Sequence, residues 1–418
     1  MSSSWASRLH EVSARALYVH VPFCARKCNY CDFASWACAP GDGLMSAYVD
    51  SICEQIDQLQ KLGLLDGVQT AYIGGGTPSF LPTPALEKLV WRVAVLGVGE
   101  LSCEANPDSL SGEKIAVLKA AGATRVSIGV QSLDDGELKK LGRLHDAEQA
   151  KSVVSQAVAS GLDVSCDLMC ATPGQTDESW ARTLRDLTAL GVGHASIYPL
   201  AIEEGTPFDK FYGDSDCPWN SDEVQAAGMT KAQEILEGLG YARYEVASYA
   251  MPGKQCRHNK AYWTGLGYLG LGTNASSMLT LESYLKLQTA NKRLPDLPKG
   301  TSRVRLTCTT PRNDIAADAG ISSLSFEIEA LTAPQAAAED LMLAARLVEG
   351  IGPSQLAYAR QTLGAAAVDR CIDDLLARGL LAEKDGRLCP TRSGWLLGNE
   401  LYGALWDLAP GEVFSLTA

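Results

Sequence analysis

Three cysteines in one short segment are the residues whose types and spacing point most directly to chemistry. Cys24, Cys28 and Cys31 have the spacing C-x3-C-x2-C. Thiolates are soft ligands that select iron–sulfur clusters, zinc and copper(I). A structural zinc site takes four ligands, and an ordinary [4Fe-4S] cluster takes four cysteines. Three local cysteines therefore favour a [4Fe-4S] cluster in which one iron has no protein ligand.

An iron without a protein ligand is open to a substrate or a cofactor. The amino and carboxylate groups of S-adenosylmethionine (SAM) suit that position. An electron from the cluster would then cleave the sulfonium C–S bond and give a 5′-deoxyadenosyl radical. The spacing alone leaves two alternatives open, a zinc loop completed by a histidine such as His20 and buried thiols without metal. Cys38 is a further candidate for a fourth ligand, although its spacing is not a familiar one.

Six short β-rich runs alternate with amphipathic or Ala-rich stretches between residues 16 and 200. This alternation predicts right-handed crossovers and a parallel sheet. Six units are fewer than the eight that close a full barrel, so we predict an α/β fold with a partial (β/α)6 TIM-like barrel. A flat doubly wound sheet is the alternative. The predicted strands cover residues 16–23, 70–75, 101–106, 125–130, 164–169 and 194–200.

Polar or Gly-rich motifs follow the C-terminal ends of these strands. The GGGTP segment, Gly74–Pro78, would let backbone groups approach the methionyl amino group of SAM closely. Glu104, Gln131 and Asp167 end the next three strands, where polar side chains can bind ribose, sulfonium or adenine groups. Arg143 lies beyond the helix after the fourth strand and is suited to the methionyl carboxylate. Because parallel α/β folds bind ligands at this edge, the motifs together predict one site.

The composition of the 418 residues limits the classes of function. A net charge of −13 repels phosphate backbones and argues against a nucleic-acid-binding protein. The N-terminus has no apolar run of signal-peptide length, and no stretch approaches the roughly 18 consecutive apolar residues of a membrane span. We therefore expect a cytoplasmic protein whose thirteen cysteines bind metal or are buried, without disulfides.

The C-terminal part of the chain changes character. Residues 246–330 combine a Gly-rich aromatic segment with a connection over 288–325 that contains Pro and Thr and is predicted to be irregular. Residues 331–418 return to helical patterns and end in helix, strand, Asp-Gly turn and strand, the outline of a winged helix. The predicted organisation is thus an N-terminal segment (1–15), a partial barrel (16–245), the middle segment, and a C-terminal α+β extension with a winged-helix-like tail.

Several motifs together resemble the radical SAM family of oxygen-independent coproporphyrinogen III oxidase and its relatives. They occur in order over about two-thirds of the chain, as YVHVPFCARKCNYCDF, YIGGGTPSFL, EANPDSL, RVSIGVQSLDD, DLMCATPGQT and SIYPLAIEEGTP. The resemblance implies a partial (β/α)6 barrel with the cluster near its top. It also implies SAM contacts from the matching positions, Tyr18, Tyr30, Gly75, Gly76, Thr77, Glu104, Gln131, Arg143, Asp167 and Ala201.

Three features resemble the heme chaperone branch of this family more than the oxidase branch. The oxidase has a further cysteine two residues after the third cluster cysteine, where this chain has Phe33. The oxidase also has a longer N-terminal extension than the roughly fifteen residues before the first strand here. Finally, the chain contains HNxxYW, which resembles the heme-binding signature of the chaperones. The resemblance thus implies heme contacts from His258, Asn259, Tyr262 and Trp263.

The heme interpretation has a physical basis, because imidazole is a common axial ligand of heme iron and aromatic rings offer flat faces to a porphyrin. The residues alone favour a simpler reading, a hydrogen-bonded loop histidine beside two core aromatics. The branch implies a protein that binds heme and delivers it to a hemoprotein such as a membrane respiratory enzyme. Heme, that recipient and a second copy of the chain are the expected partners. Two alternatives stay open, oxidative decarboxylation of coproporphyrinogen III and radical SAM methyl transfer or cyclopropanation.

Overall fold

The fold is given by a computed structural model, which describes residues 14–213, 217–318 and 320–417. Most of the predicted N-terminal segment, residues 1–13, lies outside the described residues. Within them, a 13-stranded mixed sheet carries most of the strands. Helices cover one face of this sheet, so the fold class is α/β as predicted.

The first half of the chain alternates strands and helices. Its elements are β1 (Ala16–Val21), β2 (Phe23–Cys24), β3 (Trp36–Ala37), α1 (Gly43–Lys61), β4 (Thr70–Gly75), α2 (Thr83–Ala94), β5 (Glu100–Ala105), α3 (Gly112–Ala120), β6 (Arg125–Gln131), α4 (Asp135–Leu141), α5 (Ala147–Ser160), β7 (Asp163–Cys170), α6 (Asp177–Ala189) and β8 (His194–Pro199). All six predicted strands are present in this half.

The six long strands pair in parallel in the order β1-β4-β5-β6-β7-β8. Every crossover therefore advances in one direction, whereas a doubly wound sheet reverses its strand order, so that alternative is wrong. The first and sixth strands are each flanked by later strands and are not paired with each other. The result is the predicted partial barrel.

The middle of the chain extends both edges of the parallel sheet. It forms α7 (Pro207–Tyr212), α8 (Asp222–Gly238), β9 (Ala242–Arg243), β10 (Ser248–Ala250), α9 (Arg257–Tyr262), β11 (Tyr268–Leu271), β12 (Ser276–Thr280), α10 (Leu281–Ala290), β13 (Thr301–Cys308), α11 (Arg312–Ala317) and β14 (Phe326–Thr332). β10 pairs with β8 and β11 with β1, and β12, β13 and β14 continue beyond β11.

The prediction of an irregular connection over residues 288–325 is wrong, because this segment contains the strand β13 and the helix α11. On β13 the buried Val304 and Leu306 alternate with Arg303 and Arg305. Two arginines between Pro- and Thr-rich flanks resemble an exposed loop in the sequence. In the structure, however, Arg303 is itself buried and paired with acidic side chains from a later helix.

The C-terminal part packs around a second hydrophobic core of its own. It forms α12 (Ala333–Ala344), α13 (Pro353–Leu363), α14 (Ala365–Ala377), β15 (Leu381–Lys384), β16 (Arg387–Pro390), α15 (Arg392–Leu396), α16 (Gly398–Trp406) and β17 (Phe414–Thr417). The predicted order of helix, strand, turn and strand is present in α14, β15 and β16, with Asp385 at a positive φ of 52° in the turn. β17 returns to the large sheet and pairs with β14.

The two faces of the parallel strands differ in character. On β6, β7 and β8 the apolar residues at alternate positions are buried against the helices, namely Val126, Ile128, Val164, Cys166, Ala195 and Ile197. The intervening residues are polar and line a cavity inside the barrel, namely Arg125, Ser127, Ser165, Asp167, His194 and Ser196. All thirteen cysteines lie in the described part of the chain and are free thiols.

Candidate functional site

The three cysteines of the C-x3-C-x2-C segment lie at the end of β2 and in the loop after it. Cys24 is buried, whereas Cys28 and Cys31 are half-buried. The Thr77 hydroxyl donates to Cys24 Sγ over 3.5 Å, and Arg143 Nη1 donates to Cys28 Sγ over 3.4 Å. Burial raises the pKa of the Cys24 and Cys31 thiols. A metal bound here would therefore displace protons from them.

His20 is not available as the fourth ligand of a zinc site. Its Nδ1 lies 3.0 Å from Tyr18 Oη and its Nε2 lies 2.8 Å from the Ala34 carbonyl oxygen, so both ring nitrogens are engaged. Cys38 lies near the loop, because its backbone N–H donates to the Cys24 carbonyl over 3.0 Å. The zinc loop completed by His20 therefore fails, whereas Cys38 remains a candidate ligand that mutation can test.

The predicted glycine turn packs against this loop. Gly75 has a positive φ of 114°, and a Cβ there would lie 2.5 Å from the His20 ring. A Cβ on Gly76 would lie 2.8 Å from the Phe23 carbonyl oxygen. The Thr77 backbone N–H also donates to that carbonyl, over 2.8 Å. Only glycine fits both positions, and the turn leaves a backbone cradle beside the cysteines.

Two half-buried carboxyl groups, Glu104 near the end of β5 and Asp167 within β7, line the same cavity. Glu104 accepts from the Gly75 backbone N–H and from the Tyr72 hydroxyl, both over 2.9 Å. Burial and the Asp167 charge raise the pKa of Glu104 to about 7. Asp167 accepts from the Ser127 hydroxyl over 3.3 Å, and burial raises its pKa to about 6. A cationic ligand would stabilise the ionised forms of both groups.

Arg143 connects the cysteine loop to the ends of β5 and β6. Its Nη2 donates to Asn106 Oδ1 and to the Gly129 carbonyl, both over 2.6 Å. Its Nε is buried without a hydrogen-bond partner among the described residues. Arg143 is distant from the cysteines in the sequence but belongs to the same site. Its Nε can still donate a hydrogen bond to a ligand.

Two adjoining cavities bring the predicted SAM residues together. One of about 120 Å³ lies against the cysteine loop, and one of about 390 Å³ extends from the rim into the barrel. Tyr18 lies at a neighbouring pocket with Gly75 and Glu104. The other nine predicted residues line one or both cavities, namely Tyr30, Gly75, Gly76, Thr77, Glu104, Gln131, Arg143, Asp167 and Ala201.

The sequence reasoning missed several residues that hold this site. Asn106 bridges Arg143 and Thr77, with its Nδ2 donating to the Thr77 hydroxyl over 3.0 Å. Tyr72 holds Glu104, and Ser127 holds Asp167. The sequence does contain a signal for such residues. Polar residues at every second position of the strands indicate that the barrel interior is a ligand-binding cavity.

The HNxxYW motif lies on and just after the short helix α9, with its histidine inside the protein. His258 is 1% exposed, and its Nδ1 lies 3.1 Å from the Thr70 hydroxyl. Its ring lies between Tyr72 and Tyr262, with centroids 5.3 and 5.1 Å away. Burial lowers the pKa of His258 to about 3, so the imidazole is neutral. Nε2 has no hydrogen-bond partner among the described residues.

Glu100, at the start of β5, holds the beginning of this helix. It accepts from the backbone N–H groups of Arg257 and His258 over 3.1 and 2.9 Å. The Cys256 thiol donates to it over 3.5 Å, and burial together with the Glu100 charge raises the pKa of Cys256 to about 12. Cys256 is therefore a protonated structural thiol in this arrangement. The Glu100 carboxylate therefore holds the N-terminal end of α9, and with it the HNxxYW motif, against the start of β5.

The other motif residues lie toward the C-terminal part of the chain. Asn259 lines both the barrel cavity and a larger cleft beside it. Tyr262 and Trp263 line that cleft, and Trp263 Nε1 donates to Glu245 Oε2 over 3.2 Å. The four motif residues are thus divided between the barrel interior and the cleft.

Comparison with known proteins identifies the family. The sequence matches the Radical SAM superfamily model over residues 18–187 and the HemN C-terminal domain model over residues 331–397. The protein named heme chaperone HemW of Mycobacterium tuberculosis (strain ATCC 25618 / H37Rv) is 32% identical over 93% of this chain and 94% of its own length. The chain belongs to the HemN/HemW group of the radical SAM superfamily. HemW of Escherichia coli (strain K12) is 35% identical over 67% of this chain and 74% of its own length.

A solved structure shows the same fold. The coproporphyrinogen III oxidase HemN of Escherichia coli, described as a radical SAM enzyme, has a TM-score of 0.72 with 19% identity. The match covers 97% of this chain and 93% of that one. This likeness supports the partial barrel with its C-terminal extension. Among the described residues, no helix combines the length and apolar character needed to cross a membrane.

Membership of the radical SAM superfamily implies a [4Fe-4S] cluster and SAM. The residues present fit both groups, because three thiols lie beside a glycine cradle, a guanidinium and two carboxyl groups. When bound, the pair supplies reductive cleavage of the SAM sulfonium. Cys24, Cys28 and Cys31 are the residues that would hold the cluster. Arg143 would orient a carboxylate, and Glu104 and Asp167 would face the cationic and hydroxyl groups of SAM.

SAM binding should weaken as the pH falls. The Glu104 carboxyl, with its pKa raised to about 7, is ionised only above that pH, and SAM carries positive charge. Lowering the pH from 8 to 6 protonates most of this carboxyl, so we expect the affinity for SAM to fall about tenfold through this group. Equilibrium dialysis with the cluster-loaded protein at each pH measures it.

The matched control is Glu104→Gln, which keeps the size of the side chain but cannot ionise. The SAM amino group also titrates, so the relevant quantity is the ratio of the two affinities at each pH. The ratio should be about tenfold larger at pH 8 than at pH 6. A ratio that stays constant over this range would show that Glu104 does not interact with SAM as a carboxylate.

Proposed function

We propose that this protein is a heme chaperone that binds heme at its HNxxYW motif and delivers it to a hemoprotein such as a membrane respiratory enzyme. The observation that carries the proposal is the position of the motif, where Tyr262 and Trp263 line a large cleft beside the SAM-site cavity. Relatives that are 30–35% identical are named heme chaperones. Phe33, in place of the further cysteine of the oxidase, supports the same branch.

The buried histidine sets a condition on iron ligation. His258 is neutral and its Nε2 has no hydrogen-bond partner among the described residues, so in the tautomer protonated at Nδ1 the Nε2 lone pair is free for iron. The ring is nevertheless 1% exposed, with Tyr262 beside it. Heme iron therefore reaches Nε2 only when the Tyr262 ring turns aside or α9 shifts. Heme uptake in this proposal is coupled to a local movement of the motif.

Replacing His258 by alanine should weaken heme binding and leave the cluster in place. Loss of an axial ligand should lower the affinity for heme by about tenfold or more and shift the Soret band. Heme titration of the anaerobically reconstituted protein, followed by absorbance, measures both effects. Iron and sulfide content of the same sample shows whether the cluster remains.

Metal-free protoporphyrin IX is the matched probe for this variant, because it has no iron to ligate. His258→Ala should bind the metal-free ring as the unmodified protein does. Unchanged heme affinity in His258→Ala would show that His258 is not an axial ligand of heme iron. Equal losses for heme and for the metal-free ring would mean that the substitution distorts the site and that His258 is not a ligand.

A further inference from the structure

A large cleft lies between the barrel and the C-terminal part of the chain. It has a volume of about 850 Å³, within the range of about 300–1,000 Å³ typical of small-molecule and cofactor sites. One side comes from β8, α8 and α9, and the other from Arg346 and from α15 and α16. Two segments joined by more than 80 residues of chain therefore face one space.

Aromatic rings line both sides of this cleft. Trp263 and Tyr262 come from the motif, and Trp395 and Tyr402 come from the C-terminal part. The Trp395 ring is fixed, because its Nε1 donates to the Val246 carbonyl over 2.8 Å. Flat rings on opposite walls suit a planar aromatic ligand better than a flexible or branched one.

Arg346 is the cation that lines the cleft. Its guanidinium carbon lies 5.2 Å from the Trp263 ring centroid and 4.3 Å from that of Tyr402, and its Nε has no hydrogen-bond partner among the described residues. Of the three acidic residues in the lining, Glu400 pairs with Arg378 over 2.8 Å, Glu245 accepts from the Trp263 indole, and Asp222 lies at the start of α8. Arg346 thus offers a free donor to a carboxylate held between the rings.

We propose that this cleft is the binding site for the porphyrin ring of heme, with the C-terminal part supplying the wall opposite the HNxxYW motif and Arg346 holding a propionate. The inference rests on the proposed function and extends it to residues outside the motif. It also accounts for the division of the motif. Tyr262 lies between the cleft and His258, so a porphyrin in the cleft meets the Tyr262 ring before the imidazole.

The same position places the porphyrin beside the radical SAM site. Tyr198, Pro199 and Asn259 line both the cleft and the barrel cavity that reaches Glu104 and Asp167. A ring in the cleft is therefore separated from the SAM cavity by one layer of side chains.

Filling the cleft tests the proposal. Ala226 on α8 lines the cleft, whereas the next residue, Ala227, is exposed and does not. Ala226→Trp should lower the affinity for metal-free protoporphyrin IX and for heme at least tenfold, because an indole occupies the space of the ring. Ala227→Trp, which adds the same side chain outside the cleft, should bind both as the unmodified protein does. Titrations followed by absorbance on cluster-loaded full-length protein measure these affinities.

The outcomes separate this inference from the proposed function. Normal porphyrin and heme binding by Ala226→Trp would overturn the cleft while leaving the chaperone proposal intact. Failure of the unmodified protein to bind heme would overturn the proposed function itself. As a second variant, Arg346→Gln should weaken binding of protoporphyrin IX but leave binding of its dimethyl ester, which has no free carboxylates, unchanged. Equal effects on the two ligands would overturn the role of Arg346.

Discussion

Replacement of Cys28 by alanine is expected to abolish the cluster. Cys24, Cys28 and Cys31 line the cavity at the site, and the substitution leaves two of these three thiolates. Two thiolates do not retain a four-iron cluster, because such a cluster normally has at least three protein ligands. After anaerobic reconstitution with iron and sulfide, the variant should lack the broad visible absorbance of a [4Fe-4S] centre. Its bound iron should fall to near zero.

Cys38→Ala is the matched control, because Cys38 lies next to Cys24 but outside the motif. This variant should keep its iron, its sulfide and its absorbance. Retention of the full cluster by Cys28→Ala would contradict the three-cysteine assignment. Loss of the cluster in Cys38→Ala would mean a closed four-cysteine centre, which leaves no iron open to SAM.

Replacement of Arg303 by methionine is expected to lower the free energy of unfolding by about 3–5 kcal/mol. Arg303 on β13 donates to Glu339 over 2.6 Å and to Asp340 over 2.7 Å, and both acids are 2% exposed. Methionine fills a similar volume but leaves the buried Asp340 carboxyl without its cation, while Glu339 keeps only its pair with Arg305. Urea unfolding followed by circular dichroism measures the loss.

The loss should depend on pH in a defined direction. Burial raises the pKa of Asp340 to about 7, although the Arg303 charge opposes that rise. Without Arg303 the charged form of Asp340 is costly, and protonation relieves that cost. The destabilisation should therefore be larger at pH 8 than at pH 6.

The control is Arg360→Met, which removes one partner of the exposed Arg360–Asp369 pair. Exposed pairs contribute roughly 0–1 kcal/mol, so this change should matter little. A loss below about 1 kcal/mol in Arg303→Met would show that the buried acids find other partners or carry protons.

Much of the barrel was predictable because its strands are local, β-rich runs with glycine or polar residues at their ends. β13 was not predictable for a physical reason. Its Arg303 looks like a surface residue until Glu339 and Asp340, more than 30 residues later, neutralise it inside the protein. Tertiary pairing of this kind leaves no signal in the neighbouring sequence.

The site shows the same limit. Spacing and strand ends suffice to find the cysteines, the glycine turn and the carboxyl groups, because one sheet edge collects them. The burial of His258 depends instead on Glu100 and Thr70, which lie on two strands far earlier in the chain. Asn106 belongs to the EANPD segment that the sequence analysis singled out. Its bridge from Arg143 to Thr77 depends on the packing of neighbouring strands, which the sequence alone does not show.

The central claim, a heme-binding radical SAM protein of the chaperone branch, is tested most directly by two assays on one sample. The protein is reconstituted anaerobically with iron and sulfide, titrated with heme, and then incubated with coproporphyrinogen III, SAM and a reductant. We predict stoichiometric binding of heme and no protoporphyrinogen. Decarboxylated product together with weak or absent heme binding would contradict the claim and identify the protein as an oxidase.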